Sequence, residues 1–385
     1  MGHIQHPTSF GRPIRRRFLL ERGTDFLNHG SFGATPRTVL ASAERWRQRM
    51  EAHPDRFLRY ERPHLLRAAA GILARFVRAK EQDIVFVENA TSGINAVLRS
   101  LEFRPGDEIL TTTHVYNAVR QTIRDVCSRS GAKLVEVPID LPVADAEGLI
   151  RPLKNALNRR TRLVVLDHIA SPTGLVFPVK RIAALARARG AKVLVDGAHA
   201  PGQLDLDIPA LGADWYSGNC HKWLFAPKGC GFLWARRKAQ EGIHPPVISH
   251  GYRKGFTEEF DWTGTRDFSA WLSVPDGIDF FRKLGPARLR AYCHKLVVQE
   301  ARKISAAWGT GLDGPPELHG TMIAIRLPDR LQGRDPVTLM AGWMDRHRIV
   351  VPTMAVGGVF WVRISAQVYN APGDYDRLRE LVARS

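Results

Sequence analysis

The sequence predicts an α/β chain: a mostly parallel sheet with helices on both faces, followed by a smaller α+β part. Three observations predict it. Short apolar, β-rich runs alternate with helical patterns through the first two thirds of the chain. Those runs are apolar throughout, as strands covered on both faces are. After about Ser269 the alternation gives way to two long helical stretches and then to separate strands. A length of 385 residues is enough for more than one core.

Asp83-Ile-Val-Phe-Val87 reads as a strand and Ser92 to Leu101 as the helix after it. Glu108-Ile-Leu-Thr-Thr112 is a strand, followed by a helix from about Ala118 to Arg129. Lys133 to Val137, Arg162 to Asp167 and Lys192 to Asp196 are further strands, and Val179 to Arg189 is the helix between the last two. Helical patterns cover Ala270 to Lys283 and Ala287 to Trp308. Strands are expected near Met322–Arg326 and Phe360–Ile364, with helices from Pro336 to Arg346 and near the C-terminus. The segment up to about Gly30 is expected to wrap across to this last part. The organisation that follows is an N-terminal arm over 1–25, a large domain over 26–269 and a small domain over 270–385 joined by part of the arm.

Composition narrows the function classes. The chain is 44% hydrophobic and 24% charged, with no apolar stretch near the roughly 20 residues that span a bilayer. Arg15-Arg16-Arg17-Phe18-Leu19-Leu20 has the look of a twin-arginine signal, but Glu21 and Arg22 follow at once. It reads instead as a basic arm of a cytoplasmic protein. Cys127, Cys220, Cys230 and Cys293 form no Cys-x-x-Cys pair, so no disulfide framework or zinc site is expected. His3 and His6 need no metal. The formal charge of +18 raises nucleic-acid binding. The arginines are spread along helical faces, as Arg181, Arg187 and Arg189 are, and no basic run interleaves with aromatics. A solvated arginine-rich surface that draws in anionic ligands is the reading adopted, with no nucleic-acid and no membrane partner.

Four loops carry chemistry, at the carboxyl ends of strands where open α/β sheets place it. In Glu88-Asn-Ala-Thr-Ser-Gly-Ile-Asn95, Thr91, Ser92 and Gly93 open a helix and suit a phosphate. A plain N-cap reads the same way. In Val193-Leu-Val-Asp196-Gly-Ala-His199, an aspartate ends an apolar strand and needs a partner; a helix cap or structural ion pair is the alternative. In Ser217-Gly-Asn-Cys-His-Lys-Trp223, Lys222 sits among apolar groups, where a lysine loses its proton and forms a Schiff base. An exposed loop lysine is the ordinary alternative. In Phe360-Trp-Val-Arg363-Ile-Ser365, an arginine inside an apolar strand calls for an anion that its fork can grip in two bonds; an internal salt bridge is the other outcome. Jointly, a strand-end aspartate, a lysine 26 residues later and a phosphate-type helix start upstream fit pyridoxal 5′-phosphate.

At this point the sequence resembles a known family, the class V aminotransferase group of fold-type I pyridoxal phosphate enzymes, and within it the isopenicillin N epimerase-like branch. The matching stretches are Phe26-Leu-Asn-His-Gly-Ser-Phe-Gly-Ala-Thr-Pro36, Glu88-Asn-Ala-Thr-Ser-Gly93, Val195-Asp-Gly-Ala-His199, Asn219-Cys-His-Lys-Trp223 and Trp262-Thr-Gly-Thr-Arg-Asp267. They occur in family order from about Phe26 to Asn370. The resemblance implies a seven-stranded type of mostly parallel sheet in the large domain. It implies that Lys222 carries the cofactor, Asp196 pairs with the pyridine nitrogen and His199 lies near the phenolic oxygen. Thr91 and Ser92 bind phosphate, helped by Asn219 and His221. Tyr116, in Thr113-His-Val-Tyr-Asn117, stands where relatives stack a ring on the cofactor. Ser171, in Ser171-Pro-Thr-Gly174, stands where aminotransferases often carry asparagine and is a shorter ligand for the cofactor. Arg363 holds the substrate α-carboxylate, with Asn28 and His29 on the substrate side. Thr265 reaches the phosphate of a neighbouring subunit in a homodimer with shared sites.

The cofactor fixes how any reaction begins. A freed Lys222 takes the α-proton of an amino-acid substrate while Asp196 keeps the ring electron-poor. Epimerisation or racemisation then returns the proton on the opposite face, with Tyr116, His114 or a group from Ser249-His-Gly-Tyr252 as second acid. β-Elimination instead expels a thiolate or similar group and yields pyruvate and ammonia. Cysteine desulfurase chemistry is disfavoured, because Val350 to Gly358 holds no cysteine, and Cys220 and Cys230 are expected in the core. The cationic and aromatic stretch from Gly242 to Asp261 favours a substrate with an anionic or polar tail. A noncatalytic cofactor-binding module and a nucleic-acid-binding protein are the readings from other classes.

Overall fold

A computed structural model describes residues 9–384; His3 and His6 lie outside the described residues. Twelve strands are numbered here in chain order: β1 Asp25–Phe26, β2 Ile84–Val87, β3 Glu108–Thr112, β4 Lys133–Val137, β5 Thr161–Asp167, β6 Lys192–Gly197, β7 Trp215–Asn219, β8 Gly231–Ala235, β9 Met322–Arg326, β10 Ile349–Val350, β11 Thr353–Val356 and β12 Val359–Ser365. Seven form one sheet in the order β2-β8-β7-β6-β5-β3-β4. Only β8 runs against the others, pairing antiparallel with both β2 and β7.

Residues of this sheet alternate between two apolar faces. Val85, Ile109, Val165, Leu194 and Leu233 pack on one side with helices Ala90–Ser100 and Asn117–Ser130. Phe86, Leu110, Leu166, Val195 and Tyr216 pack on the other with helices Arg62–Phe76, Ala146–Ala156 and Val179–Ala188. Because both faces are covered, no strand needs a polar side, which is why the runs read as continuous apolar stretches. The helical pattern across Arg37–Ala52 and Arg62–Phe76 escaped the sequence reading, and a π-helical turn at Phe57–Glu61 joins this pair.

A second sheet, β11-β12-β9, is antiparallel. Helix Pro286–Trp308 covers it, and the last helix, Asp376–Arg384, packs against that one. The N-terminal segment is tied to this part, as its apolar residues require. β1 pairs with β10 in parallel, Gly11 N–H donates to the Val368 carbonyl at 2.6 Å, and Phe18, 2% exposed, packs edge-on against Tyr369 at 4.9 Å. No helix among the described residues is long and apolar enough to cross a membrane.

Candidate active site

The carboxyl ends of β5, β6 and β7, the start of helix Ala90–Ser100 and the lysine loop enclose a cavity of about 470 Å³. Of the sequence-selected residues, Thr91, Ser92, Tyr116, Ser171, Asp196, His199, Asn219, His221 and Lys222 all line it. Thr265 does not: it lines a separate depression with Arg59, Arg62, His250 and Trp262.

Lys222 follows β7 at the point where the chain turns back into β8. Its Nζ lies 3.1 Å from His199 Nε2. Burial, then the nearby Arg363 charge, lowers its pKa to about 7 against the pull of Asp196. The amine is therefore available in its neutral form at neutral pH, as nucleophile or base. The loop is fixed from two sides. Nδ1 of His221 donates to the Cys230 carbonyl at 2.7 Å. His29 sits beneath, 3.0 Å from the Lys222 carbonyl through Nε2 and 2.7 Å from the Tyr369 hydroxyl through Nδ1. Burial holds His29 neutral, with a pKa of about 3. His29 is fully buried and, like Asn28 and Arg363, is not on the cavity wall; it supports the main chain of Lys222. Gly33, at φ 69°, lets this segment pass so close that a Cβ would meet the His221 carbonyl at 2.2 Å.

Asp196 is the last residue but one of β6 and is 4% exposed. Its Oδ1 accepts the Ala198 N–H at 3.0 Å. Burial raises its pKa, offset in part by that bond and by Lys222. His199 is held neutral by burial and by the Lys222 charge. Its Nδ1 is buried with no partner among the described residues. With Nε2 accepting from Lys222, Nδ1 carries the proton, a donor in want of an acceptor.

At the other end, Asn89 caps the helix by accepting Ser92 N–H at 2.9 Å, and Asn219 Oδ1 accepts Ala90 N–H at 2.8 Å. These bonds aim a helix N-terminus and two hydroxyls, of Thr91 and Ser92, at the cavity, the setting for a phosphate. His221, with Nδ1–H committed to Cys230 and a pKa lowered by burial to about 4, presents Nε2 as an acceptor. It needs a proton before it can donate to an anion.

Arg363, on β12, is 1% exposed. It donates to the Ser171 carbonyl, to Asn28 Oδ1 at 3.1 Å and to Ser31 Oγ at 3.3 Å. These partners are neutral, and among the described residues no carboxylate pairs with it and Nε has no partner. Burial lowers its pKa to about 10, so it stays charged. Asn28 thus orients the arginine, and Ser171 accepts from it through its carbonyl and, at 3.4 Å, its Oγ. No internal salt bridge forms, and a buried guanidinium without an anion is suited to a carboxylate.

Tyr116 stands on the cavity rim, 45% exposed. The other second-acid candidates lie elsewhere. His114 is fully buried against the Ile139 carbonyl at 3.1 Å, His250 lines the separate depression, and Tyr252 packs on His244 at 5.2 Å. Cys220 and Cys230 are core residues. Sequence reading missed Asp167 and Asn89 on the cavity wall; Asp167 ends an apolar strand just as Asp196 does.

The residues present fit pyridoxal 5′-phosphate: a low-pKa lysine, a buried carboxylate, an unpartnered ring N–H and a helix start at the opposite end. The sequence profile described as Aminotransferase class-V matches residues 34–372. A putative L-cysteine desulfhydrase 1 of Oryza sativa subsp. japonica is 36% identical, over 94% of this chain and 83% of that protein. The isopenicillin N epimerase of Streptomyces clavuligerus is 35% identical, over 95% and 96%. A C-DES mutant structure with glycine covalently linked to its PLP cofactor superposes with a TM-score of 0.83 at 21% identity, over 96% and 98%. The chain belongs to the class-V aminotransferase family, has the fold-type I architecture, and uses pyridoxal 5′-phosphate.

Proposed function

We propose that this class-V family member is a carbon–sulfur β-lyase that removes the α-proton of a cysteine-type amino acid with Lys222. When bound, pyridoxal phosphate draws electrons from the α-carbon and lowers the barrier to losing that proton. Arg363 grips the α-carboxylate in two bonds, replacing its contacts to Asn28 and Ser31. Asp196 holds the charge that keeps the ring nitrogen protonated. Lys222 accepts the α-proton and returns a proton to the departing sulfur. Water then completes the sum: cysteine plus water becomes pyruvate, ammonia and sulfide.

One observation carries this reading. Lys222 is the amine on the cavity wall, its pKa lowered to about 7, while His114, His250 and Tyr252 lie outside the cavity. Elimination needs one proton carrier. Epimerisation needs a second on the opposite face, and Tyr116 on the rim is the observation that favours that second reading. The printed names of the relatives support both, a desulfhydrase and an epimerase. A homodimer in which Thr265 serves a neighbouring site completes the proposal.

The test is proton NMR of the cofactor-loaded enzyme in D2O with L-cysteine, cysteine conjugates and a panel of L- and D-amino acids. Pyruvate and a released thiol are expected. Loss of the α-proton signal from an intact skeleton, with inversion, would replace the lyase by the epimerase.

A further inference from the structure

The cavity contains an acid that the reaction outlined above does not use. Asp167 is the last residue of β5 and Asp196 the last but one of β6, and the two are register partners on adjacent parallel strands. In-register neighbours point to the same face of a sheet, and both line the cavity. Asp167 is 3% exposed, and its Oδ2 is buried with no partner among the described residues. The Tyr116 backbone N–H serves its carboxyl.

The groups around the pair can be counted by element. β6 brings Asp196; the lysine loop brings Lys222; the turn after β6 brings neutral His199. Beside Asp167 on its own strand end is His168, bound to the Tyr216 hydroxyl of β7 at 2.9 Å and neutral through burial. From helix Asn117–Ser130 comes Arg120, whose Nε is tied to Glu136 at 2.6 Å. The cation acting on Asp196 is Lys222, and the one acting on Asp167 is Arg120, already tied to Glu136. Adjacent buried carboxylates cannot both ionise cheaply.

We propose that Asp167 is a positioning residue that keeps its proton, so that the Asp167–Asp196 pair carries a single negative charge, placed on Asp196. The proton sits on the otherwise orphaned Oδ2. The site then presents one anion to the cofactor ring instead of two, and the proton cannot wander to Asp196. Burial, followed by the Asp196 charge, pushes the Asp167 carboxyl well up, in the same sense.

The experiment compares full-length wild type, Asp167→Asn and Asp196→Asn, each with and without pyridoxal phosphate. The amide imitates the protonated acid. A carboxyl whose folded pKa is raised makes the folded state lose stability as pH rises above the unfolded value of about 4, by up to about tenfold in the folding constant per pH unit. Without cofactor, Asp167→Asn is expected to gain on wild type steadily from pH 5 to pH 8, and to bind pyridoxal phosphate within about threefold of wild type, a factor of order 1 kcal/mol or less. Parallel pH profiles, or a loss of cofactor affinity as large as that of Asp196→Asn, would overturn the proposal. If Asp167→Asn does not fold, the infrared carbonyl band of a protonated carboxyl in wild type at neutral pH decides: present, it supports the proposal; absent, it ends it. The second arm rests on the cofactor assignment and tests it separately. Normal cofactor binding by Asp196→Asn would sink that assignment while leaving the stability arm for Asp167 intact.

Discussion

Two buried acid–base clusters of this protein meet the same cost of burial in opposite ways. At Asp313 and His319 both side chains are fully buried, and His319 Nε2 lies 2.9 Å from Asp313 Oδ1. The second ring nitrogen is bound to the Pro315 carbonyl at 2.9 Å. Asp313 N–H donates to the Ala324 carbonyl of β9 at 3.2 Å, and Leu175 bridges to His319. Oδ1 of Asp313 is matched on the spot, and Oδ2 has no partner among the described residues. On the cavity wall, Asp167 and His199 each keep a buried polar atom unpartnered beside open space, and Arg363, whose Nε is also unpartnered, touches that wall through Ser31 and Ser171. Burial with an internal partner is architecture. Burial with the partner missing beside open space suits a binding site, because the uncompensated desolvation is recovered when a ligand arrives.

The largest expected effect breaks the cavity side. Lys222→Ala removes both the point of cofactor attachment and the base, so the visible absorbance of the attached cofactor should vanish and turnover should fall by about 10³-fold or more. Unchanged turnover would show that the low-pKa lysine is not the working amine. The other side is broken by His319→Leu, which strands Asp313. Stability should fall by about 3 kcal/mol, read by denaturant unfolding, while activity per folded molecule stays as it was. The pH dependence sharpens this. Burial lowers the His319 pKa, but the Asp313 charge and its hydrogen bonds outweigh it, so the folded value is raised. A raised histidine contributes its full stability below its unfolded value of about 6.5 and loses it as pH rises through the folded value. The deficit of His319→Leu should therefore shrink toward alkaline pH. A deficit that grows there would mean that the pair is neutral and that the comparison is drawn wrongly.

The sequence shows one cluster far better than the other, for physical reasons. Strand-end and loop residues flanked by apolar runs are visible because chemistry at a sheet's carboxyl edge interrupts a pattern, as Asp196, Lys222 and Arg363 do. Asp167 interrupts it in the same way and went unread, since a single aspartate suffices for the ring nitrogen. His29 illustrates a different limit. Its motif places it near the site, but which side of the lysine loop it faces depends on Tyr369, 340 residues away, and such pairing has no local signature. The Asp313–His319 pair is equally silent, because two polar residues six apart on a loop look like solvent-facing ones. The antiparallel return of β8 likewise depends on the tight turn after Lys222, and an apolar run carries no direction.

The smallest effect distinguishes the two reactions the cavity could host. Tyr116 caps helix Asn117–Ser130 through its backbone and stands on the rim, so Tyr116→Phe keeps the ring over the cavity and removes only the hydroxyl. For a lyase, Lys222 alone handles the proton; the phenylalanine variant should bind cofactor normally and release pyruvate from L-cysteine within a few-fold of wild type. For an epimerase, a proton must be delivered from the face that Lys222 does not reach, and loss of its donor should cost roughly 10²-fold in inversion. Exchange of the α-proton for deuterium with retention would persist in that case, since it uses the lysine face alone. A steep loss of inversion beside intact exchange in Tyr116→Phe would make this tyrosine the second acid and the enzyme an epimerase. A small, uniform loss leaves the one-base elimination as the chemistry that the cavity performs.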